Sequence, residues 1–95
     1  MNTHIVVLVT VPTASEGEKL ASALVEERLA ACVNRISSVH STYWWQGKVE
    51  RDEEQLLVIK SKEELFDRLK SRVQELHSYT VPEVIALPIV KGSES

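Results

Sequence analysis

Cys32 is the chain's one cysteine, so no internal disulfide can form and a reducing compartment such as the cytoplasm is expected. Long apolar runs are missing too. No stretch approaches the roughly 20 residues that a membrane helix requires, and the apolar residues 5–9 are too few, with no basic segment before them, for a signal-peptide core. Bases are outnumbered, 11 Lys and Arg against 14 Asp and Glu, which argues against nucleic acid or an anionic membrane as a partner, since both need clustered positive charge. Neither a Gly-rich anion loop nor a nucleophile spaced with its base occurs, so no enzyme is expected. The most apolar stretches, 5–11 and 56–59, hold no aromatic residue, which removes the base stacking of an RNA-binding sheet.

What is present fits one domain spanning residues 1–95. A chain of this length buries only roughly 60 to 70% of its unfolded surface, so oligomerisation would add needed stability. Residues 5–11 are continuously apolar or β-branched, as expected of a strand covered on both faces or paired on both sides. Pro12 ends the strand, and Ser15 with Glu18 has the capping-box form, predicting a helix from Glu16 with Leu20, Ala21, Leu24, Val25 and Leu29 on one face. A second strand follows from Cys32 to Trp45, with broken alternation that predicts a bulge near Ser37 and Ser38. Gln46-Gly47 turns it into a third strand, 48–59.

Ser61 and Glu64 repeat the capping-box form and predict a second helix presenting Leu65, Phe66, Leu69, Val73 and Leu76. Pro82 forces extended chain after a helix that ends near His77. The last strand then runs from about Glu83 to Val90, and Pro88 makes it an edge. The order βαββαβ predicts a ferredoxin-like α+β sandwich, an antiparallel sheet with two helices on one face. Strands one and three lie in the centre, and strands two and four are edges open to another chain. Tyr43, Trp44 and Trp45, too many rings for one small domain to bury, predict self-association. Gly92 and the three residues after it offer nothing to anchor them and are expected to be loosely ordered.

An imidazole, a phenol and a carboxylate, at His77, Tyr79 and Glu83, come together at the junction between the second helix and the last strand, the kind of place where sites are built. A purely structural role stands beside this, because a helix C-terminus favours an imidazolium at His77. Cys32 reads first as a small buried hydrophobe, with a ligand or reactive thiol as the alternative.

The segments Ala30-Ala-Cys-Val-Asn34, Ser41-Thr-Tyr-Trp-Trp-Gln-Gly47 and His77-Ser-Tyr-Thr-Val-Pro-Glu83 resemble the CutA family of divalent-cation tolerance proteins. The resemblance implies a homotrimer assembled through edge strands and the long hairpin, similar in architecture to PII signalling proteins, that binds copper(II) and other divalent cations. Two positions where bacterial members carry a ligand cysteine and a ligand histidine hold Val9 and Leu76 here. The implied metal site is therefore His77 with Glu83 or Cys32, lined by Lys60, Tyr79 and Asn34 in a cleft at the subunit boundary, and its copper affinity is expected to be reduced. A PII-like sensor of a small molecule or anion is the alternative.

Overall fold

In the computed structural model, which describes residues 3–93, the elements are β1 (His4–Val11), α1 (Ala14–Glu26), β2 (Cys32–Trp45), β3 (Lys48–Lys62), a 3-10 turn at Glu63–Leu65, α2 (Phe66–Leu76) and β4 (Ile85–Pro88). The sheet is antiparallel in the order β2-β3-β1-β4, so β1 and β3 are central and β2 and β4 are edges, as the sequence pattern predicts. Part of the loosely ordered end expected from Gly92 onward lies outside the described residues.

Alternation decides the two faces of the sheet. Ile5, Val7, Val9 and Val11 of β1 and Leu57 and Ile59 of β3 pack with Leu20 and Leu24 of α1 and Leu69 and Val73 of α2 into one core. Each such side chain contributes roughly 1.5–3 kcal/mol on leaving water. Gly17 lets α1 lie close: a Cβ there would stand 2.5 Å from Gln55 Oε1 and 3.2 Å from Val11 Cγ2. The intervening residues Val6, Leu8, Thr10, Leu56 and Val58 face the other side and stay half-buried. The continuous apolarity of β1 therefore reflects pairing on both edges, while its second face is left open by this chain.

Both helix starts differ from the capping-box reading. The cap of α1 is Thr13, whose Oγ1 accepts the Glu16 N–H at 3.1 Å, and the helix opens at Ala14. Ser61 caps nothing. It is a strand residue opposite Ile5, its buried hydroxyl donating to the Leu29 carbonyl at 2.7 Å, so β3 runs on to Lys62 and α2 begins only at Phe66. The strand ladder offers Ser61 more than the cap does, since it satisfies the backbone as well as the hydroxyl. The last strand is also shorter than expected, ending at Pro88.

The bulge falls where predicted. Ile36 pairs with Leu56 and Val39 with Glu54, so Ser37 and Ser38 together oppose Gln55, with Ser38 at φ 61°. Gln55, buried among them, donates to Ser37 Oγ at 3.2 Å and accepts from Arg35. Beyond the bulge the hairpin runs out from the helices, and the molecule measures 44 × 25 × 23 Å.

Candidate functional site

Helix α2 stops at His77, whose backbone turns extended (φ −77°, ψ 142°) while its N–H still bonds to the Val73 carbonyl at 2.8 Å. That turn swings the imidazole under the end of β1, where its side chain is 0% exposed. Nε2 lies 2.8 Å from the Thr10 carbonyl, and Nδ1 lies 3.0 Å from the Tyr79 backbone nitrogen. A carbonyl only accepts and an N–H only donates, so the ring is the Nε2–H tautomer with Nδ1 as acceptor. Both nitrogens are engaged. Glu16, from the first turn of α1, closes the group: its Oε2 accepts the Ser78 N–H at 2.9 Å and sits 3.3 Å from His77 Nδ1.

Tyr79 carries the arrangement across to β3. Its ring packs on that of His77, with centroids 4.7 Å apart, and its hydroxyl donates to the buried Glu54 carboxylate at 2.8 Å. Burial, followed by the bond and the charge of Glu54, holds the Tyr79 phenol well above the usual tyrosine range. Further out on the hairpin the Tyr43 hydroxyl donates to Asp52, which pushes its pKa up to about 12. Glu16, Thr10, Glu54 and Asp52 were not singled out from the sequence. Glu54 had a signal: on the alternation of β3 it shares the face of Leu56 and Val58, a carboxylate where an apolar residue would continue the pattern.

The remaining expected site residues lie elsewhere. Cys32 pairs with Lys60, and Asn34 with Val58, so all three polar side chains share the open sheet face. The Lys60 ammonium donates to Asn34 Oδ1, and Cys32 Sγ lies 3.9 Å from the same oxygen. Cys32 is exposed, not the buried hydrophobe one reading made of it, because the register turns it away from the helices. Lys60 stands opposite Val6, whereas His77 bonds to Thr10. Four strand residues, about 13 Å at the usual rise, separate the two groups. Glu83 is exposed just before β4 and makes no hydrogen bond or ion pair among the described residues.

Within one chain, then, His77 and Tyr79 come together, Cys32, Asn34 and Lys60 come together, and Glu83 joins neither group. Among the described residues no three His, Cys, Asp or Glu side chains are grouped so as to hold a metal ion. His77 has no lone pair to offer without giving up the Tyr79 N–H or the tautomer that bonds Thr10. The ligand set implied by the resemblance does not fit the geometry of a single chain.

The family model that matches residues 5–95 is described as CutA1 divalent ion tolerance protein. The chain is 53% identical over 89 residues to "Protein CutA 1, chloroplastic" of Oryza sativa subsp. japonica, an alignment covering 94% of this chain and 50% of the rice protein. It thus spans about half the length of that plant relative. It is 53% identical over 88 residues to the divalent-cation tolerance protein CutA of Thermus thermophilus, covering 93% of this chain and 85% of that one. The solved Thermus structure superimposes with a TM-score of 0.93 at 52% identity, over 95% of this chain and 87% of the other.

Proposed function

Since the chain belongs to the CutA1 divalent ion tolerance family, we propose that it is a non-catalytic cytoplasmic homotrimer that binds divalent cations, copper(II) foremost, between its subunits. The observation that carries this reading is the open face of the sheet together with the tip of the hairpin. Ile36, Leu87 and Ile85 are exposed on the strands, and Trp44 and Trp45 are 74% and 58% exposed. Apolar surface of this extent on a small chain marks an interaction site, and each ring it buries would contribute roughly 1.5–3 kcal/mol to association.

The cation reading keeps two of the three ligands first expected, Cys32 and Glu83, and gives up the third. His77 is committed to holding the end of α2. Cys32 and Glu83 are exposed, on or beside the two edge strands, where a neighbouring copy can bring further donors to them. A thiolate and a carboxylate make a softer, less complete set than one built on imidazoles, so binding is expected to be weak, with copper(II) above zinc in intrinsic order. An exposed thiol also suits a reducing compartment. Light scattering on the eluting protein tests the assembly: three chain masses are expected, and a monomer mass at micromolar concentration would sink the reading. Calorimetric titration of chelator-stripped protein with copper(II) tests the cation.

A further inference from the structure

At the end of the sheet away from His77, an open cleft of about 1040 Å³ lies between the loop after α1, the end of β3 and the segment that follows β4. Arg28, Lys60, Lys62 and Lys91 line it, and among the described residues Glu64 is the one acid beside them. In a chain with 14 acids and 11 bases, such a reversal of sign on one concave surface is not a matter of composition. Three separate segments deliver the four bases. Arg28 arrives at φ 62°, in the turn that ends α1. Lys60 and Lys62 come from β3, and Lys91 is placed by the Ile89 N–H, which bonds to the His4 carbonyl at 3.1 Å.

No ion pair neutralises Arg28, Lys62 or Lys91 among the described residues, whereas Arg35 and Arg72 both have carboxylate partners. Like charges gathered without counter-charges repel one another, and a bound anion relieves that repulsion. The walls are not uniformly polar, for Val25, Leu65 and Val90 also face the space. The volume is at the upper end of small-molecule sites, far larger than one inorganic ion fills. We infer that this cleft binds a small organic polyanion, its charged groups held by Arg28, Lys60, Lys62 and Lys91 and its apolar body laid on Val25, Leu65 and Val90.

Neither Glu83 nor Cys32 lines the cleft, but Lys60 pairs with Cys32 across the strands, so the variants that test it are placed at Lys62, Lys91 and Glu64, away from the cation ligands. The test is calorimetry on metal-free protein at low salt with ATP, citrate and inorganic phosphate as probes, together with amide chemical-shift mapping. ATP or citrate is expected to bind at least tenfold more tightly than inorganic phosphate and to shift the amides of residues 28, 60–64 and 89–93. ATP above citrate would assign phosphate recognition, and citrate above ATP carboxylate recognition. The double variant Lys62→Gln/Lys91→Gln, both exposed positions, is expected to weaken binding at least tenfold at unchanged thermal stability, and Glu64→Gln to tighten it. Absence of heat and shifts at millimolar probe, equal binding of inorganic phosphate, or binding unchanged in the double variant would each overturn the inference.

Discussion

The imidazole of His77 and the carboxylate of Glu16 lie 3.3 Å apart, Nδ1 to Oε2, although they belong to opposite ends of different helices. Glu16 stands in the first turn of α1, where a carboxylate is favoured by the helix dipole, and His77 is the last residue tied to α2. The carboxylate also accepts the Ser78 N–H. One acid therefore fastens the beginning of one helix to the end of the other, and the buried ring fastens both to β1 through Thr10.

Removing that ring should cost stability. His77→Ala leaves a cavity and an unpartnered Thr10 carbonyl, an expected loss of about 2–4 kcal/mol. Urea denaturation checks it, and a loss below half a kilocalorie would show that the ring holds nothing.

The same variant separates a structural histidine from a ligand. With both nitrogens occupied, His77→Ala is expected to leave copper(II) affinity within twofold of the parent, whereas Cys32→Ser and Glu83→Gln lower it. Titration calorimetry on folded protein decides between them. A tenfold loss confined to His77→Ala would return the metal to the helix junction.

The bond between Tyr79 and Glu54 predicts both a mutational and a pH effect. Tyr79→Phe leaves a buried carboxylate short of a donor, costing about 1–3 kcal/mol, and Glu54→Gln should recover part of that loss in a double-mutant cycle. Because the folded state holds the Tyr79 proton above the usual tyrosine value of about 10, the unfolded chain binds fewer protons once pH exceeds 10. The contribution is full below that pH and declines as pH rises. Unfolding curves taken between pH 9 and 12 should show a shallower alkaline loss in Tyr79→Phe than in the parent.

Tyr43 offers a spectroscopic check on the outer hairpin. Its pKa is pushed up to about 12, chiefly by the bond to Asp52, so in Asp52→Asn its ionisation should fall toward the ordinary value near 10. Ultraviolet titration reads this directly, and an unchanged curve would dismiss the bond.

The two tryptophans test the assembly. Trp44 and Trp45 stand opposite Val49 and Lys48 at the hairpin tip, and large aromatic rings at an interface commonly carry about 2 kcal/mol or more each. Trp44→Ala/Trp45→Ala is expected to shift the light-scattering mass toward the monomer at micromolar concentration, while far-ultraviolet circular dichroism stays that of the parent. A mass unchanged from the parent would place the interface elsewhere.

Pattern made the fold legible because each element's period survives folding. The central strands and both edges follow from continuous apolarity, the handedness of the crossovers and Pro88, and the bulge at Ser37 and Ser38 and the turn at Gln46-Gly47 from broken alternation and turn chemistry. The helix caps did not follow, since Ser15 and Ser61 look alike as caps, and only the tertiary ladder consigns Ser61 to the strand. Half of the junction group was also readable, His77 and Tyr79 being close in sequence. Glu16 and Glu54 were not, because long-range register brings them there, and the same register carries Cys32, Asn34 and Lys60 away to the other end of β1.

The bulge in β2 has a consequence for insertions and deletions. Ser38 is the residue of β2 that the ladder does not count: without it, Ile36 still faces Leu56, Ser37 faces Gln55 and Val39 faces Glu54, so every other pair keeps its partner and its side. Loss of Ser41 instead would heal the bulge only by sliding Val39 and His40 one step along β3, trading a buried-side residue for a solvent-side one. The hairpin thus tolerates a change in length at one point, and a chain one residue shorter there would keep the Trp44 and Trp45 tip aimed as it is now.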